Sequence, residues 1–148
     1  MGKLRNLRGL LKVAAVKDLE IHHMDAVAAF LNPTIKEDIY MQIPPLIPNY
    51  NTRKVWRLRK PLYGLKEASS YWYLNIKKFF EMINLTTSKA DPCFFTIVTP
   101  EWECYVHIHA DDLTIVSNNV SRFKSIINQR FEMEYLGLVY YILGIAVS

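Results

Sequence analysis

Residues 104–117 read Cys104-Tyr-Val-His-Ile-His-Ala-Asp-Asp-Leu-Thr-Ile-Val-Ser117. Two adjacent acids stand between two short runs of β-branched and aromatic residues, the composition of strands, so the stretch predicts a hairpin with a carboxylate pair at its tip. Alternation places Val106, Ile108 and Ala110 on one face of the first strand and Tyr105, His107 and His109 on the other. Leu113 and Ile115 continue an apolar face after the turn. Neighbouring carboxylates repel and resist desolvation, so Asp111 and Asp112 are either solvated at the turn or neutralised by a cation.

The rest of the chain can build the core such a hairpin needs. It has 148 residues, 51% hydrophobic and 13% aromatic, which predicts one packed domain and excludes a disordered tail. Eighteen Lys and Arg against fourteen Asp and Glu leave +4, a balance that suits nucleic acid or an anionic surface. Arg53, Lys54, Arg57, Arg59 and Lys60 cluster around Val55, Trp56 and Leu58. Such a strip is either a charged edge strand that discourages aggregation or a phosphate-contacting surface with an aromatic among its cations. Cys93 and Cys104 are too few for a disulfide framework and lack metal-ligand spacing, which predicts free thiols in a reducing compartment. No apolar run approaches the roughly 20 residues of a membrane span. Five bases and no acid in the first 17 residues imitate a transit peptide, but Leu4, Leu7, Leu11 and Ala15 fit an amphipathic helix over residues 1–17. The expected location is intracellular, cytoplasmic or nuclear, with no membrane contact and no secretion.

In chain order, Leu19 to Met24 predicts a strand ending at Asp25, and Asn32-Pro33 a turn. Asp38 to Ile43 reads as a strand, Pro44 to Thr52 as a loop, and Lys54 to Leu58 as another strand. Trp72, Ile76, Phe79, Phe80 and Ile83 repeat at helical period. Cys93 to Val98 predicts a strand before the hairpin. Asn118 or Asn119 then caps a helix burying Val120, Phe123, Ile127 and Phe131, and Leu138 to Val147 reads as a final buried strand. Two helices among mostly antiparallel strands imply an α+β sheet with helices on one face.

Asp25 and the pair Asp111-Asp112 are far apart in sequence, and only a folded sheet could unite them. Oxygen-only ligands favour Mg²⁺ or Mn²⁺, and two such ions about 3.5 to 4 Å apart can activate a hydroxyl and stabilise a leaving pyrophosphate oxygen. A competing reading takes His107-x-His109-x-Asp111-Asp112 as the metal motif of a zinc-dependent hydrolase. The last motif position is Asp rather than His, and no His follows residue 109, which ranks that reading lower. All four His can also be ordinary surface or packing residues.

Several short motifs follow one another: Leu19-Glu-Ile-His-His-Met-Asp25 with Ala29-Phe-Leu-Asn32; Ile39-Tyr-Met41; Leu62-Tyr-Gly-Leu-Lys66 with Ala68 and Trp72; Ala90-Asp-Pro-Cys93; Ala110-Asp-Asp112; Phe131-Glu-Met133 with Leu136-Gly137; and Tyr141-Ile-Leu-Gly144. In their order and spacing, from about Leu10 to the end, the chain resembles the reverse transcriptase domain of Ty1/copia-type retrotransposon polyproteins. The resemblance implies an RNA-directed DNA polymerase palm with part of the fingers and no thumb, built on a ferredoxin/RRM-like antiparallel sheet. It assigns Asp25, Asp111 and Asp112 to two Mg²⁺ or Mn²⁺ ions and to nucleotidyl transfer. It places Phe30 as a steric gate against a ribose 2′-hydroxyl, Glu67 near the incoming nucleotide, and Lys66 in a turn bordering nucleotide and template, beside the basic strip. Leu143 and Gly144 would lie near the primer. The implied partners are an RNA or DNA template, a DNA primer, deoxynucleoside triphosphates and the remainder of a retroelement polyprotein.

The departures bear on activity. His109-Ala-Asp-Asp stands where the family usually has Tyr-Val-Asp-Asp, Glu67 replaces a usual Gln, and Ser69-Ser70 replaces Pro-Arg. Pro33 stands for Gly and Tyr135 for Asp. The sequence also suggests truncation at both ends, with triphosphate-contacting bases and a thumb missing, so the expectation is a polymerase fragment that is feeble or inactive alone. The rival expectation is a non-catalytic nucleic-acid-binding remnant of a retroelement.

Overall fold

The computed structural model describes residues 4–27, 29, 39–48, 53–59, 68–139, 141–142 and 145–146. Their elements run α1 (Leu4–Lys17), β1 (Ile21–Ala26), β2 (Ile39–Gln42), β3 (Val55–Leu58), α2 (Ala68–Met82), β4 (Thr86–Thr87), β5 (Phe94–Val98), β6 (Glu103–His109), β7 (Asp112–Ser117), α3 (Val120–Asn128), β8 (Met133–Leu138), β9 (Tyr141–Ile142) and β10 (Ile145–Ala146). The chain divides into two compact units, Met1–Val27 with Lys78–Ser148, and Ala28–Lys77.

The first unit is organised by a six-stranded sheet in the order β4-β5-β6-β7-β1-β8, antiparallel at every pairing. In chain order β1, β6, β7 and β8 alternate with α2 and α3, and β7 lies between β1 and β6 in the sheet, the strand order of a split βαβ unit; α2 belongs to this first unit only from Lys78 onward. The expected α+β class is therefore observed.

Why the sheet is covered on both sides follows from its inner strands. On β7, Leu113 to Ser117 are all buried, so neither face is left to solvent. One face carries Ile21 and Val116, against which α1 sets Leu7, Leu10 and Ala14, with Phe94 and Tyr105 packed alongside. The other face carries Phe95, cross-strand from Val106. There Phe80 of α2 meets Phe95 edge-on at 5.0 Å and lies 6.1 Å from Phe123 of α3. Full burial of an aromatic of this size contributes about 1.5 to 3 kcal/mol. Phe80 of α2 and Phe123 of α3 thus lie on one face, whereas α1 covers the opposite one, which corrects the expectation of helices on one face alone. Its Lys17 ties this arrangement down at the helix end by pairing with Glu103, to which the Tyr105 hydroxyl also donates.

Local chemistry sets the helix ends. Asn119 Oδ1 accepts from the Arg122 N–H at 3.0 Å and caps α3, while Asn118 Oδ1 accepts from the Glu103 N–H at 3.0 Å. After α2 the chain turns at Asn84, whose φ of 68° is left-handed, and the Leu85 N–H donates to the Phe80 carbonyl at 2.9 Å.

Two strand expectations need correction. The short β4 was not foreseen, because two residues give no periodicity to read. The single buried strand over 138–147 is not observed: Leu138 is the last residue of β8, at 44% exposure, and the described residues beyond it include the short antiparallel pair β9–β10. Apolar composition alone cannot distinguish one buried strand from a bulged edge strand followed by a small ladder.

The second unit contains β2 paired with β3, with Ile39 opposite Leu58 and Tyr40 opposite Arg57. Val55, Trp56 and Arg57 are exposed. No helix among the described residues is long and apolar enough to cross a membrane.

Candidate metal centre

Two adjacent pairings bring the acids together. β1 lies between β7 and β8, with Asp25 opposite Asp112 on one side and opposite Glu134 on the other. The hairpin tip between β6 and β7 is two residues long, His109 being paired with Asp112. Of the expected acid pair, Asp111 is therefore a tip residue and Asp112 the first residue of its strand. The tip is fastened to β1 because the Ala26 N–H donates to the Asp111 carbonyl at 2.9 Å. Asp25, Asp111 and Asp112 each offer a carboxylate oxygen, and these atoms all lie within 4.8 Å of one another.

The electrostatics are those of a crowded anionic site. Partial burial, then the charges of Asp111 and Asp112, push the Asp25 carboxyl above its ordinary range. A divalent cation would relieve both repulsions, and an all-oxygen donor set suits Mg²⁺ or Mn²⁺, so these residues fit the ions expected for them.

The surrounding strands shape the site. On β8 the register slips beside Met24: His23 is opposite Gly137 and Met24 opposite Tyr135, so Leu136 is extra. Gly137 adopts a φ of 87°, which a side chain would strain. Such a bulge increases local twist next to Asp25.

His23 is a residue that the sequence did not single out for this site. Its Nε2 lies 3.0 Å from Asp112 Oδ1. Period-two alternation was the available signal, since His23 shares a strand face with Asp25. Glu134 escaped notice because β8 was not expected.

The two histidines of the competing motif are not gathered with these acids. His107 is 3% exposed, with Nε2 3.5 Å from Asp91 Oδ2. Burial is the main influence lowering the pKa of its imidazole, opposed by Asp91. Among the described residues, Asp25, Asp111 and Asp112 form the one grouping of three or more possible metal ligands, so zinc coordination through His107 and His109 gains no ligand set. Cys93 and Cys104 are free and buried, and burial pushes the Cys104 thiol up to about 12.

Of the expected nucleic-acid contacts, Arg53, Lys54, Arg57 and Arg59 are exposed on and around β3. Lys60, Lys66, Phe30, Glu67, Leu143 and Gly144 lie outside the described residues.

Residues 1–148 match the family described as reverse transcriptase (RNA-dependent DNA polymerase). The chain is 30% identical to the Retrovirus-related Pol polyprotein from transposon TNT 1-94 of Nicotiana tabacum, over 98% of this chain and 11% of that protein. It is 31% identical to the corresponding polyprotein from transposon RE1 of Arabidopsis thaliana, over 97% of this chain and 10% of that one. It is 29% identical to the putative transposon Ty5-1 protein of Saccharomyces cerevisiae, over 84% of this chain and 42% of the relative. It thus spans about a tenth of the length of the two plant polyproteins. No solved structure matches it. A match across the whole length, with retrotransposon Pol polyproteins as relatives, makes this chain a member of the reverse transcriptase (RNA-dependent DNA polymerase) family, of the Ty1/copia retrotransposon type.

Proposed function

We propose that the chain is the palm, with part of the fingers, of an RNA-directed DNA polymerase, and that Asp25, Asp111 and Asp112 hold two divalent ions for nucleotidyl transfer. The observation that carries this reading is the convergence of three carboxylates from two strands and a hairpin tip to within 4.8 Å. When bound, Mg²⁺ or Mn²⁺ supplies activation of a primer 3′-hydroxyl and stabilisation of the leaving pyrophosphate oxygen. The chain's own contribution is positioning. β7 and β8 fix Asp25 from both sides, and the hydrogen bond from Ala26 holds the hairpin tip that presents Asp111.

In the same reading the substrates are deoxynucleoside triphosphates, a DNA primer and an RNA or DNA template. Phe30 limits access of a ribose 2′-hydroxyl, and Glu67 borders the incoming nucleotide. Leu143 and Gly144 border the primer, and Lys66 acts with the strip from Arg53 to Lys60 on phosphates.

Primer extension on an RNA template with Mg²⁺ or Mn²⁺ tests this function. The isolated parent chain is expected to extend the primer only feebly, and Asp111→Asn to lose about a thousandfold of that rate, the equivalent of roughly 4 kcal/mol of transition-state stabilisation. Equal extension by both would sink the assignment. A second reading, a non-catalytic nucleic-acid-binding retroelement remnant, is favoured by the exposed Arg53, Lys54, Arg57 and Arg59. Salt-sensitive binding without extension would select it.

A further inference from the structure

The metal-centre reading leaves a question about Asp112. Its side chain is 44% exposed, at the head of a strand whose next five residues are buried. A carboxylate so placed has rotamer freedom that a metal centre must remove before it can bind tightly.

The structure contains a device that removes it. His23 Nε2 stands 3.0 Å from Asp112 Oδ1. An ionised carboxylate only accepts hydrogen bonds, so Nε2 carries the proton and donates it. The ring is anchored on β1, the strand that also bears Asp25, and on that strand His23 and Asp25 are two residues apart and share a face. On β7, Thr114 is the residue opposite His23, and Asp112 the residue opposite Asp25. The hydrogen bond is therefore a diagonal brace between two strands, reaching from His23 on one to the acid at the start of the other. His23 is not among the grouped candidate ligands. It touches one of them from outside.

We propose that His23 is a positioning residue for the metal centre, its Nε2–H holding Asp112 Oδ1 so that Asp112 offers a cation its other oxygen alone. The inference rests on the reading of Asp25, Asp111 and Asp112 as metal ligands. Its chemical consequence is selectivity. A carboxylate with one oxygen engaged by an N–H is a good single-oxygen ligand and a poor two-oxygen one. Mg²⁺ and Mn²⁺ in octahedral sites take the former, whereas Ca²⁺, with six to eight oxygens, commonly takes both. His23 accordingly favours the small octahedral ions and disfavours Ca²⁺. An outer hydrogen bond of this kind is typically worth about 10- to 100-fold in metal affinity.

The test is Mn²⁺ binding to the full chain, read as loss of the free-ion electron paramagnetic resonance signal, with Ca²⁺ as competitor. H23A is expected to bind Mn²⁺ about 10- to 100-fold more weakly than the parent and to be displaced by Ca²⁺ more readily. H23Q, which keeps a donor, recovers most of the affinity. H23L fills the same space without a donor and should behave as H23A, which keeps the test valid if H23A alone fails to fold. In a D112A background, which has no side-chain acceptor at this position, the effect of H23A should vanish, because the interaction it removes is already gone. Equal Mn²⁺ affinity in the parent, H23A and H23L overturns the inference and leaves the metal centre standing. A full H23A effect in the D112A background also overturns it, by showing that His23 acts elsewhere. A parent chain that binds Mn²⁺ no better than D111N overturns the metal centre itself, and the inference with it.

Discussion

Two antiparallel pairs in this chain treat charge in opposite ways. β6 and β7 join inside a six-stranded sheet, and their acids at the tip meet Asp25 from the neighbouring strand. β2 and β3 form a ladder of their own, with Val55, Trp56 and Arg57 exposed. In the first pair the backbone register fixes where each carboxylate stands, and partial burial followed by the neighbouring charges pushes the Asp25 carboxyl above its ordinary range. In the second, long-stemmed cations surround an exposed aromatic. Rigid, crowded charge suits chemistry on a defined atom, whereas exposed charge on long side chains suits a phosphate backbone whose sequence is not being read.

The largest expected effect separates the packing of the two regions. Phe80→Ala removes a ring that is fully buried and packed against both Phe95 and Phe123, and should lower stability by about 3 to 5 kcal/mol. Trp56, at 39% exposure, should cost less than about 1 kcal/mol when replaced by Ala. Urea unfolding of both variants measures this contrast. Equal losses would mean that the β2–β3 ladder is packed as firmly as the sheet, and the comparison would fail.

The second effect concerns what the ladder does. Replacing Lys54 and Arg59 together by Ala should weaken binding to single-stranded nucleic acid about tenfold at low salt. The slope of log affinity against log salt should fall by roughly 0.7 for each phosphate that the variant no longer neutralises. Fluorescence anisotropy over a salt series reads both. An unchanged slope would return these cations to the role of a charged edge.

Much of this division was legible in the sequence. The hairpin, the helical stripe through Trp72 and Phe80, and the cap near Asn119 all announced themselves by period or residue type. The convergence of Asp25 with Asp111 and Asp112 was inferred from chemistry and resemblance, since strand order is a long-range property that no local pattern encodes. What escaped had physical causes. β8 carries an extra residue at Leu136, which breaks the alternation that identifies a strand. The second covered face of the sheet was missed because His107 and Tyr105 read as polar positions, although His107 is buried. His23 was visible as a residue, but its partner Asp112 is brought to it only by pairing between β1 and β7.

His107 supplies a smaller test, on the sheet side of the comparison. Burial holds its pKa below the ordinary value despite Asp91 nearby, with His109 a further weak influence in the same direction as burial. Between the folded and unfolded pKa values the unfolded chain binds the extra proton, so stability is complete above about pH 6.5 and declines as pH falls through that window. The slope from one such group cannot exceed about 1.4 kcal/mol per pH unit. His107→Gln should remove this component, leaving a flatter stability profile from about pH 7.5 to 5. A parent and variant with parallel profiles would show that His107 is charged without penalty, and so not enclosed.

The smallest effect sits at the hairpin tip itself. Ala110 has a φ of 55°, in the left-handed region that costs an L-residue about 1 to 2 kcal/mol. The conformation is imposed from both sides: His109 and Asp112 close a two-residue tip, and the Asp111 carbonyl is held by Ala26. Glycine would adopt this φ without strain but would lose more freedom on folding, by about 0.5 to 1 kcal/mol. Ala110→Gly should therefore stabilise the chain by only a few tenths to about 1 kcal/mol, read as a small rise in the urea midpoint at unchanged slope. If the tip is as firmly held as the pairing implies, Mn²⁺ affinity will not move with it. Weaker metal binding in a stabilised A110G chain would instead show that the methyl group limits the motion of Asp111, making the tip rather than the sheet the element that sets the geometry of the acids.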